Sequence, residues 1–317
     1  MIKKIYITTL SMILLTLTFT TATFAWVSMA ETNRVDGLGI TASTDSNLEF
    51  SLDGINYTSK IDATVLENLI KDLAFLDLST QDGINFISKP NGIKDFVIPN
   101  KTYFSVELFV RTTTRYTDVY LVNNVSNQAN FDNPPERGTY IISKGVSFRS
   151  SVDFLYDIDE IRLAQIPYMY YAKDAMRISI QELNTDNPND SRLPEQMNVF
   201  IFDPSENEHR GYGKPYGAID YFNTVRYEYI DIPTKIPNTL YALTTFSSPN
   251  KYVPDNTNSR IMSLVITDNV DSRNIPYYEG KFKLNIWLEG FDADSFDSVY
   301  NDIVKIQLEF QSALPID

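Results

Sequence analysis

Asp292, Asp294 and Asp297 fall in the run Glu289-Gly290-Phe291-Asp292-Ala293-Asp294-Ser295-Phe296-Asp297. Carboxylates spaced this way in a loop can offer several hard oxygen ligands to a Ca²⁺ ion. These three residues are therefore the candidate metal site, with calcium as the expected ion. The EF-hand pattern is absent, with no glycine at the sixth position and no glutamate at the twelfth. A solvated turn that caps a short helix after Asp294 would use the same residues. Asp186, Asp190, Asp268 and Asp271 are weaker candidates.

Other chemistries find less support. The chain has no cysteine, which removes disulfides, thiolate-bound zinc, iron–sulfur clusters and lipidation at a cysteine. Ser–His–Asp catalysis would have to use the single histidine, His209, which lies in the polar run Ser205-Glu206-Asn207-Glu208-His209-Arg210 and reads as a solvated loop. With 41 acidic residues, carboxylate pairs arise by chance, and no local motif selects two of them for glycoside hydrolysis. No P-loop, H-E-x-x-H or G-x-S-x-G motif occurs. The stretch Gly211-Tyr212-Gly213-Lys214-Pro215-Tyr216-Gly217 reads as a flexible aromatic loop, with no helix following to aim amides at a phosphate. No catalytic site is legible. Tyrosine is abundant at 20 residues, among them Tyr168, Tyr170, Tyr171, Tyr212, Tyr216, Tyr221, Tyr227 and Tyr229. Exposed rings of this kind can stack on sugars, while buried ones fill sheet faces.

The elements that must position these residues are mostly strands. Phe104, Val106, Leu108 and Val110 alternate with polar or outward residues, as do Met176, Ile178 and Ile180. Phe282, Leu284, Ile286 and Leu288 repeat the pattern, and so do Val304, Ile306, Leu308 and Phe310. Period-2 alternation describes half-buried strands with one wet face, which belong to antiparallel sheets. Further strands are expected at residues 38–42, 48–52, 118–122, 153–156, 198–202, 225–230 and 261–267. Asp53-Gly54, Asp82-Gly83, Asn91-Gly92 and Asn133-Pro134-Pro135 supply turns. One helix is expected over residues 62–75, from the spacing of Ile61, Val65, Leu66, Leu69, Ile70 and Leu73. The fold class is mainly β: an antiparallel β-sandwich or jelly-roll-like domain with one or two helices. Residues 184–196 are polar and turn-rich, an exposed loop or a boundary.

Two regions organise the chain. Lys3 and Lys4 precede a stretch from Ile5 to Ala30 without a charged side chain, long enough to span a membrane. Residues 1–30 therefore read as a signal peptide or a transmembrane anchor, with candidate cleavage after Ala25 or Ala30. Either outcome puts residues 31–317 outside the membrane as an extracellular β-sandwich domain with long loop insertions. The formal net charge of −14 and the lack of a basic stripe disfavour nucleic acid.

Four segments carry a resemblance. Thr23-Phe24-Ala25-Trp26-Val27-Ser28 is followed by Gly37-Leu38-Gly39-Ile40-Thr41-Ala42 and Leu48-Glu49-Phe50-Ser51-Leu52-Asp53-Gly54. The late segment Ile286-Trp287-Leu288-Glu289-Gly290-Phe291-Asp292-Ala293-Asp294 is the fourth. They resemble exported proteins of Gram-positive bacteria and their wall-less relatives, the TasA/camelysin group, over roughly the first fifty residues and the last forty. The resemblance implies a surface or matrix protein, and in fibre-forming members an N-terminal strand that pairs with the next subunit's sheet. Here Val35–Ala42 would be the donor. The metalloprotease activity attributed to camelysin does not carry over, because one histidine and no zinc motif are present. The expected function is an exported surface or extracellular-matrix structural protein, partnered by itself or another surface protein through strand pairing. A carbohydrate-binding adhesin is the second reading and a two-carboxylate glycoside hydrolase the third. The expected location is extracellular or cell-surface, with the membrane contacted through residues 5–30 if these are retained.

Overall fold

A computed structural model describes residues 34–44, 46–88, 97–227 and 229–316, together with Met12. The chain divides into two compact units, Met1–Thr32 and Asn33–Asp317. The expected export segment, residues 1–30, lies outside the described residues apart from Met12, and so does the Asn91-Gly92 turn. Among the described residues, no helix is long and apolar enough to cross a membrane.

The second unit is mainly β, as the alternation requires. A six-stranded sheet runs in the order β16 (Arg260–Ser263), β7 (Asp118–Val122), β19 (Ile303–Ala313), β1 (Arg34–Ala42) and β3 (Lys60–Ile61), with β8 (Tyr140–Ser143) also on β19. A nine-stranded sheet runs β15 (Thr239–Leu240), β14 (Val199–Phe202), β13 (Met176–Leu183), β18 (Pro276–Glu289), β4 (Asp77–Thr80) and β5 (Phe86–Ser88). In that sheet β17 (Val265–Val270) and β6 (Phe104–Thr112) also pair with β18, and β2 (Glu49–Ser51) pairs with β6. Two ribbons complete the strands: β9 (Val146–Arg149) with β12 (Pro167–Tyr170), and β10 (Phe154–Asp157) with β11 (Glu160–Arg162). The helices are α1 (Ala63–Ile70), α2 (Ala172–Ala175) and α3 (Ala218–Arg226).

One apolar core joins the two sheets. Phe282, Leu284, Ile286 and Leu288 of β18 share it with Val304, Ile306, Leu308 and Phe310 of β19. Phe310 packs on Phe50 and Phe282, with ring centroids 5.3 and 5.5 Å apart. This is the arrangement of a β-sandwich, with the four expected alternating strands all turning their apolar rows inward. Helix α1 ends at Ile70, short of the expected residue 75, and buries Leu66 and Ile70 while Val65 is exposed.

Several expectations change. The sheets are mixed: β1 is parallel to β19, β4 to β18 and β15 to β14. The second face of β18 is dry at its end, where Asn285, Trp287 and Glu289 are buried, while Lys281 and Lys283 stay partly exposed. Leu78, Phe86, Tyr103 and Ile201 cover that end and pack around Trp287. Val225 and Arg226 lie in α3 and not in a strand; Tyr221, Phe222 and Val225 place their bulk on the core from that helix. That helix starts just after Gly217, so residues 211–217 are a built entry rather than a flexible loop. Tyr212 and Tyr216 are buried, and the Gly217 amide donates to the Leu155 carbonyl at 2.8 Å. The expected strand at 261–267 divides at Leu264 into β16 and β17.

The segment at 184–196 is tied down by Arg192, which bridges Glu182 and Asp190. A turn motif occurs twice, as Ser51-Leu52-Asp53-Gly54-Ile55-Asn56 and Thr80-Gln81-Asp82-Gly83-Ile84-Asn85. Each aspartate accepts the amides two and three residues on and the asparagine side chain, which fixes the turn locally.

Candidate functional site

The predicted metal residues sit where β18 runs into the following loop. Asp292 is held there by an antiparallel bridge to Tyr212 and is 1% exposed. Its Oδ2 accepts from Arg177 Nη2, and its Oδ1 accepts from the Asp294 amide at 2.8 Å. The same Arg177 Nη2 lies 2.8 Å from Asp203 Oδ2, close enough for an ion pair but off the line of a hydrogen bond. Asp294 receives Arg210 on both oxygens, Nε at 3.0 Å and Nη2 at 2.6 Å. Asp297 begins the 3₁₀ turn Asp297–Asn301 rather than joining the other two. Two of the three carboxylates thus face guanidinium groups. Among the described residues, no group of three or more His, Cys, Asp or Glu side chains is placed to hold a metal.

Glu289 completes the cluster. Its Oε2 accepts from the Trp287 indole at 3.0 Å and its Oε1 from the Phe291 amide at 3.1 Å. Burial pushes its carboxyl up to about 7, against these hydrogen bonds. Burial also raises Asp292, Asp203 and Asp294, while Arg177 and Arg210 draw them back. The acids Asp203, Asp292, Asp294 and Glu289 outnumber the buried cations Arg177 and Arg210 in this region. A proton retained on Glu289 near neutral pH relieves that imbalance. Beside Glu289, a polar chain crosses the outer face of three strands. Ser105 donates to Asn285 at 2.8 Å, Asn285 to Ser179 at 3.2 Å, and Ser179 to the Gly83 carbonyl at 2.6 Å. These groups are sealed from water, so the network stabilises a specific packing of loops on the sheet.

His209 is exposed, and its Nε2 lies 2.6 Å from Asp157 Oδ1. Its carbonyl accepts from the Tyr216 hydroxyl. Half of the singled-out tyrosines are buried, Tyr170, Tyr212, Tyr216 and Tyr221; Tyr168 and Tyr171 are partly buried, and Tyr227 and Tyr229 are exposed.

The predicted donor segment, residues 35–42, lies within β1. β1 pairs with β19 at Arg34–Ile303 and Val35–Val304, and again from Leu38 opposite Ile306 to Ala42 opposite Phe310, with a shift in register between Val35 and Leu38. On its other side β3 pairs only through Ile40–Ile61 and Thr41–Lys60. Leu38 and Ile40 are buried in the shared core. The chain leaves β1 through the short polar junction 43–47, where the Ser43 amide donates to Phe310 O at 2.8 Å and Ser46 and Ser312 share a hydroxyl contact of 3.1 Å.

The sequence did not reveal the pairing of Arg177 with Asp203 and Asp292, or of Arg210 with Asp294. These partners are separated by up to 115 positions, and no local spacing signals them. Comparison of the chain with family models, curated proteins and solved structures returns no match.

Proposed function

We propose that the chain is an exported cell-surface or extracellular-matrix structural protein. In this reading it is a jelly-roll-like sandwich that assembles into fibres by exchanging its first strand. The observation that carries the reading is the seat of β1. Among the described residues it is the first strand, and the strand paired on its outer edge, β3, has two residues. A strand so placed can leave its own slot and enter the same slot of a neighbour. Nearly every contact it loses is remade there, so exchange costs little beyond opening the junction.

The buried Leu38 and Ile40 make an empty slot unstable, which favours refilling over a vacant edge. Release of residues 1–30 frees β1 for exchange, and their retention tethers the domain to a membrane. Light scattering on protein that begins at residue 31 tests the reading. A mass that grows with concentration, with fibres in the electron microscope, supports it. A strict monomer at high concentration contradicts it.

A further inference from the structure

A surface groove with a volume of about 630 Å³ runs beside the junction after β1. That size is in the range of small-ligand sites, about 300–1,000 Å³. Its charged side chains are already matched. Glu49 accepts from Arg111 Nε at 2.8 Å. Asp271 accepts from Arg273 Nε at 3.0 Å, and also takes the Arg273 and Ile275 amides at 2.8 and 2.9 Å. Those bonds, the Ile275 amide foremost, hold the Asp271 carboxyl below the usual range, so it remains an ionised acceptor.

An aromatic wall adjoins these pairs. The Arg111 guanidinium lies between the rings of Tyr57 and Tyr277, 3.9 and 4.1 Å from their centroids. This stack fixes Tyr277, which lines the groove. The remaining polar lining is hydroxyl and amide: Ser46, Asn47, Ser59, Thr113 and Thr114.

We propose that this groove binds a neutral saccharide chain, a property separate from strand exchange. A charged ligand would meet carboxylates and guanidiniums that already satisfy one another, and would recover little of its lost hydration. A neutral polyol instead exchanges its water hydrogen bonds for hydroxyl, amide and carboxylate partners, with the fixed tyrosine as an apolar edge. A second groove, of about 400 Å³, differs in kind. Asp186, Asp268 and Glu279 line it, and its lining has no lysine or arginine among the described residues.

Titration calorimetry of the full chain tests the proposal, using soluble oligosaccharides of glucose, mannose, galactose and N-acetylglucosamine. At least one should bind with a dissociation constant of about 1 mM or tighter. Arg273→Ala and Thr113→Val, both surface changes, should each weaken it about tenfold, the loss of roughly one hydrogen-bonding partner, without moving the melting temperature. Silence with all four sugars, binding unaffected by both variants, or tighter binding of a sulfated chain would each overturn the proposal.

Discussion

Leu38 of the first strand lies in parallel register with Ile306 of the last. The two ends of the domain are therefore neighbours in one sheet, and the first strand's place depends on a partner more than 260 residues away in sequence. Ile306 is itself flanked on its other side by Ile141 of β8. The slot beside β19 persists whether β1 comes from the same chain or another.

Stability should fall as pH rises from about 4.5 to about 7, because of Glu289. The folded carboxyl titrates at about 7 and its ordinary value is 4.5. Between those values the folded state keeps a proton that the unfolded state has released, so stability is lost with rising pH. The full loss is about 3 kcal/mol at 1.4 kcal/mol per pH unit. Glu289→Gln should lack this loss. Urea denaturation at pH 5 and pH 8 should show the variant gaining on the parent only at the higher pH. An equal difference at both would count against a buried, protonated Glu289.

Arg177→Met should be strongly destabilising. Burial opposes the Arg177 charge, but Asp203 and Asp292 more than offset it and keep the side chain protonated. Its removal leaves both buried carboxylates without their cation, a cost of about 3–5 kcal/mol. Arg177→Met combined with Asp292→Asn should recover part of that loss in the same denaturation assay. A double variant no more stable than the single would contradict direct pairing.

The calcium expectation has a direct test in the arginine pairs of Asp292 and Asp294. With guanidiniums on both carboxylates, neither Ca²⁺ nor EDTA should move the melting temperature. A rise with Ca²⁺ that Asp297→Asn abolishes would return the ion to this loop.

Much of the scaffold was legible because alternation reports burial of one face. Phe282, Leu284, Ile286 and Leu288 point inward as their spacing requires. In the opposite row Asn285 and Glu289 looked wet, as Lys281 and Lys283 did, because polar residues normally face water. The end of that row is buried because the turn at Gly83 reaches Asn285 and side chains of neighbouring strands, Leu78 and Ile201, pack around Trp287, which no local pattern in β18 can encode. Val225 looked like the start of a strand because a β-branched residue precedes tyrosines. Its helical place follows from Tyr221, one turn earlier, packing on the ribbon residues Phe148 and Phe154. At the candidate site the acids were visible, but their arginine partners, brought in by β13 and the turn at residues 208–210, were not.

The strand-exchange account is tested most directly by locking β1 in place. Gly39 and Gln307 are register partners, and a side chain added at Gly39 would lie 3.9 Å from Gln307 Cγ. The chain has no cysteine, so Gly39→Cys with Gln307→Cys introduces a single possible disulfide. In protein lacking residues 1–30, light scattering should show the reduced variant growing with concentration and the intramolecularly oxidised variant remaining monomeric. Equal assembly of both forms, or no assembly of the reduced variant or its parent at any concentration, would contradict the account.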